Sequence, residues 1–295
     1  MRLFLKNSLF FIVPILISFF IIELLTRNSN SIYKHKWEGF IAEAENIEVL
    51  ILGNSHAADG IDPTQFDLKA YNMAFGSQSL YFDEAITMKN LNKMKNLKYV
   101  LISVDYHTLY SDHNELRDIY YHYYYGIDYK DTNYWKEDIS MLLEYGLRNS
   151  VKLHILNPTY IFKNGYSGSY KETNYESLTR EKGRERVEMF KLNRGVNMQI
   201  VNRLNNFVEI LKNNNITPII ITLPCHKNYR DFLDKKIIEE NLKNINNLCL
   251  KYNIRYYNYL NEPLPDSLFY NVDHLNFKGA KFFSLELNRL INNMK

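Results

Sequence analysis

The sequence predicts an α/β fold, a three-layer sandwich around a mostly parallel sheet, carried behind one N-terminal transmembrane helix. Three observations lead there: an uncharged apolar run near the amino terminus, short continuous apolar runs bounded by turn residues, and amphipathic helical stretches between those runs. Strands that are apolar throughout, rather than alternating, are what a parallel sheet covered on both faces requires.

At the start, "MRLFLKNSLFFIVPILISFFIIELLTRNSN" sets Arg2 and Lys6 before an uncharged run from Asn7 to Ile22, and extending it to Leu25 takes in only Glu23. About 20 apolar residues span a bilayer as a helix, and Pro14 is tolerated within such a span. No A-x-A-like site follows the run, which favours a retained anchor over 1–27 against the rival reading, a cleaved signal peptide. Arg2 and Lys6 put the amino terminus in the cytoplasm and the main domain outside, with Arg27, Lys34 and Lys36 as a competing positive flank. The expected location is therefore the cell membrane, single-pass. Residues 28–46 read as a polar linker.

The α/β domain runs from 47 to 295. Its first strand is "IEVLILG" (47–53), followed by a helix over 79–94 and a second strand, "KYVLISVD" (98–105). A helix over 197–215 leads into "ITPIIITLP" (216–224), a long amphipathic helix covers 232–253, and "IRYYNY" (254–259) is a fourth, shorter strand. The last helix, 276–293, has Asn276 placed to cap it. Between about 107 and 195 the pattern blurs into "DIYYHYYYGIDYKDTNYW" and its surroundings, an aromatic-rich insertion rather than a second independent domain. Its rings suit either packing onto the main sheet or stacking on sugar.

Composition narrows the function. A net charge of +3 over 295 residues is too close to neutral for a nucleic-acid partner. Cys225 and Cys249 give neither a disulfide framework nor zinc spacing and read as small core residues. His107, His113 and His122 share no metal-ligand spacing, and neither phosphate-cradling glycine motif is present, so no metal and no cofactor are expected.

One strand end carries chemistry. In an open parallel sheet, ligands bind at the carboxyl ends of the strands, and Ser55 lies just past "LILG", with Gly53 permitting a tight turn. A serine hydroxyl needs a base to become a nucleophile. His274, in the loop before the last helix, is the candidate, and a carboxylate must then orient its ring. His56 beside the serine lines the pocket or packs the loop. His226, at the end of the third strand, contacts substrate or caps a loop.

"ILGNSH", "NMAFGSQS" and "DHLNFKGA", in this order, resemble three blocks of the SGNH/GDSL hydrolase superfamily, over roughly residues 47–106 and 216–292. The resemblance implies an SGNH-like, flavodoxin-like domain, with Ser55 as nucleophile, His274 as general base, and Ser55 and Gly76 backbone N–H groups as oxyanion donors. Two positions depart from the pattern. The usual aspartate three residues before the histidine is Asn271, leaving Asp273, Asn271 itself or Asp105 to orient His274. The usual asparagine of the third block is missing from "ISVDYHTL", leaving Asn72 or a backbone group as a substitute, or a smaller oxyanion hole. The layout is similar to membrane-tethered members that O-acetylate exopolysaccharides and to the D-alanyl transfer protein of teichoic acids. It implies ester hydrolysis or acyl transfer on an envelope polysaccharide or teichoic-acid-like acceptor, with a membrane acyltransferase as a further partner. The alternative is a non-catalytic tethered scaffold that binds envelope glycan or a membrane partner.

Overall fold

The computed structural model describes residues 2–28, 31–110, 115–130, 132–134, 140, 163–166, 168, 170, 172–190, 192 and 195–294. The chain divides into two compact units, 1–37 with 116–160, and 38–115 with 161–295.

The second unit is built on five parallel strands: β1 (Val49–Leu52), β2 (Ala70–Asn72), β3 (Tyr99–Ser103), β4 (Thr217–Thr222) and β5 (Tyr256–Asn258). Their order is β2-β1-β3-β4-β5, the doubly wound order of flavodoxin-like sheets. β2 is a strand that the apolar pattern does not announce. Three residues long and paired only with β1, it has no apolar run of its own.

Alternation along the strands sends side chains to opposite faces. Val49, Ile51, Tyr99, Leu101, Ile219 and Ile221 pack in one cluster with Ala57, Ile61, Phe283 and Leu287, which brings a short helix after β1 and the last helix onto that face. Leu50, Leu52, Val100, Ile102 and Ile220, of opposite parity, are equally buried. Helices Leu80–Asn90, Met198–Asn213 and Lys235–Tyr252 pack in series with one another and against β4 and β5. The last helix, Phe277–Asn292, is capped as expected, Asn276 Oδ1 accepting from Gly279 N at 3.0 Å.

Residues 28–46 are not a plain linker. Ile32–Glu43 forms a helix because Tyr33, Trp37 and Phe40 recur at helical spacing within the polar text. In the first unit, Tyr33 stacks on Tyr120 at 4.3 Å and Trp37 on Tyr125 at 4.5 Å. Within that unit the tyrosine-dense segment therefore packs rings on this helix. The amino-terminal helix, Arg2–Arg27, contains a 21-residue stretch, Asn7–Arg27, long and apolar enough to cross a membrane, as a span or a signal sequence is. Its apolar side chains face outward, Phe10 and Phe11 being 77% and 70% exposed.

Candidate active site

β1 and β3 are neighbours from which the chain departs in opposite directions, so their carboxyl ends form the crevice of the sheet. Ser55 stands there, at the first position of helix Ser55–Gly60. The turn that delivers it needs glycine: Gly53 has φ +133°, and a Cβ would lie 2.6 Å from Ser103 Cβ of β3. Gly53 N donates to the buried Asp83 carboxylate at 3.1 Å, and Gly53 O accepts from Phe75 N at 3.1 Å. Asn54 caps the helix by accepting from His56 N at 2.9 Å. The Ser55 N–H opens that helix, where a backbone donor has no intrahelical acceptor.

His274 arrives from a loop folded on Asn271. Asn271 Oδ1 accepts from the backbone N–H groups of Asp273 at 3.1 Å and His274 at 2.8 Å, and Tyr270 N donates to His274 O at 2.9 Å. His274 Nε2 lies 2.8 Å from Ser55 Oγ. Its Nδ1 is 3.1 Å from Asn271 Oδ1 and also 3.1 Å from Asp273 Oδ1. In an extended loop, Asp273 and His274 would point apart. The tight turn brings them to one side, so Asp273 reaches the ring of its neighbour. The two contacts differ in kind: Asn271 is the aligned hydrogen-bond acceptor, while Asp273 Oδ1 makes no aligned hydrogen bond among the described residues and faces the ring as a charge.

Behind this pair lies a buried ion network. Asp273 Oδ2 accepts from Arg186 Nε at 2.6 Å and sits 3.5 Å from His56 Nε2. His56 Nδ1 is 3.2 Å from Asp105 Oδ1, and Asp105 Oδ2 accepts from Ser103 Oγ at 3.0 Å. Burial opposes the Asp273 charge, but His274 and then His56 hold the carboxyl well below the usual carboxylate range. Burial likewise opposes Asp105, which His56 pulls below its ordinary value. Burial also opposes the His56 charge, yet Asp105 above all, with Asp273, raises the ring well above 6.5. His107, buried and facing the His56 charge, is pushed down to about 4. Asp83, buried beneath Gly53, is raised to about 7.

The structure thus brings Ser55, His274, Asp273, Asn271 and Asp105 together, and corrects three other expectations. Asn72 is no oxyanion donor: its Nδ2 is committed to Ala57 O and Ile61 O at 2.9 and 2.8 Å, and its Oδ1 to Ala74 N. His226 is no substrate contact: Nδ1 caps helix Lys227–Arg230 through Asn228 N at 3.2 Å, and Nε2 faces Asp266 at 3.1 Å. His56 is 3% exposed and faces the network rather than a pocket. Gly76 lies in the loop after β2 that Phe75 N ties to the turn at Gly53.

Arg186 is the residue sequence reasoning missed. It lies on helix Arg180–Glu188, whose sequence REKGRERVE reads as a solvated face. Gly183 was the available signal: a Cβ there would meet Asn228 O at 1.8 Å, so this helix packs hard against Lys227–Arg230. Beside His274 a cleft of about 290 Å³ is lined by Tyr170, Lys182, Arg186, Met189 and Asn271. Tyr170 stacks flat on Tyr270 at 4.0 Å and meets His274 edge-on at 5.6 Å. His56, Asp273 and His274 hold ligand-type atoms within 4.8 Å of one another. Arg186 Nε also reaches Asp273 Oδ2, and Ser55 Oγ reaches His274 Nε2.

The fold is similar to that of solved esterases and lipases. A GDSL-like lipase from Bacteroides thetaiotaomicron aligns over 88% of this chain and 98% of its own, at 11% identity and a TM-score of 0.44. A lipase/acylhydrolase from Enterococcus faecalis aligns over 84% and 97%, at 11% identity and 0.42. An acetylxylan esterase from Geobacillus stearothermophilus aligns over 84% and 96%, at 10% identity and 0.39. No family model and no curated protein matches the chain.

Proposed function

We propose that this chain is a serine-dependent acyl-transfer enzyme, acting as an esterase or O-acyltransferase on a cell-envelope glycan from a membrane tether. The observation that carries the reading is the 2.8 Å contact of His274 Nε2 with Ser55 Oγ, at the carboxyl edge of the sheet. As Ser55 Oγ attacks an ester carbonyl, Nε2 takes its proton, and the Nδ1–H stays on Asn271 Oδ1 while the Asp273 charge supports the imidazolium. The Ser55 and Gly76 N–H groups serve the developing oxyanion. Collapse of the tetrahedral intermediate expels the alcohol, which receives the proton from His274 and leaves an acyl-Ser55. Water then yields a free acid, or a sugar hydroxyl yields a new ester, with His274 accepting the proton of either. The Tyr170–Tyr270 stack beside the cleft gives a sugar ring an aromatic face.

The test is fluorophosphonate labelling of the full-length chain. Wild type is expected to label on Ser55, and Ser55→Ala not at all. Equal labelling of both proteins, or none in wild type, would leave a glycan-binding scaffold.

A further inference from the structure

His56 follows the nucleophile directly, yet its ring turns away from Ser55 into the protein. Its side chain is 2% exposed, between two carboxylates that are 2% and 1% exposed. We propose that His56 is a positioning residue: an imidazolium clamped between Asp105 and Asp273 that balances their charge and so keeps His274 available as the neutral base. The proposal rests on the serine–histidine reading above.

Two buried carboxylates lie in line behind His274, with Nδ1 of His56 3.2 Å from Asp105 and Nε2 3.5 Å from Asp273. Arg186 supplies one positive charge, on Asp273 Oδ2 at 2.6 Å. Without a second cation the cluster would carry a net negative charge 3.1 Å from His274 Nδ1. A nearby negative charge favours protonation of a histidine, and a protonated His274 cannot accept the Ser55 proton. A charged His56 closes the count at two carboxylates and two cations. Neither ring nitrogen of His56 has an aligned hydrogen-bond partner among the described residues, so charge rather than hydrogen-bond direction holds the ring.

The other groups facing His56 do not supply that charge. Cys225, below it, is kept as a thiol because burial raises it. His107, its ring 6.2 Å away, is the histidine pushed down to about 4. His274, at 5.1 Å, is the base itself. Farther out, Asp83 faces Asp105 and is raised to about 7, and the buried Tyr229 hydroxyl stays protonated. Among the described residues, only His56 stands between the two carboxylates.

Two measurements test this on the full-length chain in detergent. The first is nitrogen NMR of the ¹⁵N-histidine-labelled protein, with His56 assigned from the signal lost in His56→Gln. Both His56 ring nitrogens are expected to show the imidazolium signature at pH 7.5, and a neutral ring there would overturn the proposal. The second is the pH dependence of kcat/KM with 4-nitrophenyl acetate. His56→Gln is expected to move the acid limb up by about one pH unit, a tenfold loss on that limb. Adding Asp105→Asn, which removes the surplus charge, is expected to move it back. A limb unmoved by His56→Gln, or moved further by the double substitution, would also overturn it. If Ser55 does not react at all, the enzymatic reading fails, whereas the NMR signature still decides the charge on His56.

Discussion

At the scale of single residues, the proposed reaction has Asn271 and Asp273 divide what one aspartate does in a serine–histidine–aspartate site. Asn271 supplies direction: its one oxygen receives Nδ1–H and two backbone N–H groups, fixing both the loop and the ring. Asp273 supplies charge, and Arg186 and His56 hold it in place. The roles predict unequal responses. Asp273→Asn removes the counter-charge to the developing imidazolium and should lower the acylation burst with 4-nitrophenyl acetate by about 10³–10⁴-fold. Asn271→Asp keeps an oxygen at the same place and should change the burst by less than about tenfold. The reverse ranking in burst-phase kinetics would assign the charge role to position 271 instead. Ser55 and His274 were legible in the sequence because each stands in a short motif, one at the end of β1 and one in the loop before the last helix. The Asp105–His56–Asp273 line was not, since it joins ends of β1, β3 and a late loop that only the folded sheet brings together. Arg186 was hidden for a different reason: on a helix of mostly charged residues, nothing in the spacing marks which one turns inward.

At the scale of elements, the nucleophile turn is pinned from below by Asp83, on the helix Leu80–Asn90. Its Oδ1 accepts from Gly53 N at 3.1 Å and from Gln78 Nε2 at 2.6 Å. Burial raises this carboxyl from 3.8 to about 7, against the two hydrogen bonds that lower it. The folded state therefore holds the proton more tightly than the unfolded chain. The stabilisation from that proton is full below about pH 4 and is lost as pH rises through about 7, on the order of 4 kcal/mol in all. Asp83→Asn retains the acceptor oxygen and has no charge to bury. The difference in unfolding free energy between Asp83→Asn and wild type, from urea titrations, should therefore grow in favour of the variant from pH 4 to pH 8. A difference independent of pH would show that Asp83 is ionised at no cost. Four strands of the sheet could be read as apolar runs. β2 could not, because an edge strand of three residues, Ala70–Asn72, leaves no run to see. The helix Ile32–Glu43 was hidden by lysines and glutamates between its aromatic residues, although its stripe at 33, 37 and 40 was present in the text.

At the scale of the whole molecule, the question is whether the apolar helix stays on the protein. Asn7–Arg27 is 21 residues long, about 31 Å as a helix, which matches a hydrocarbon core of about 30 Å. Its one acidic residue lies near the end. Glu23 pairs with Arg27 one turn on and accepts from Ser140 Oγ at 2.8 Å, while Arg27 donates to Tyr123 Oη at 3.2 Å. These bonds tie the end of the helix to the tyrosine-rich segment of its own unit. A retained anchor accounts for such partners. The chain is therefore expected to remain in the membrane pellet after alkaline carbonate extraction, with an intact mass that includes residues 1–28. Protease added to spheroplasts should degrade the domain carrying Ser55 while the bilayer is closed, the outcome expected of an outward-facing domain. Recovery of a soluble form beginning near Asn28 would show cleavage, and protection of the domain in sealed spheroplasts would reverse the orientation. In either case a fluorophosphonate signal on Ser55 would leave the chemistry standing while moving it to another compartment.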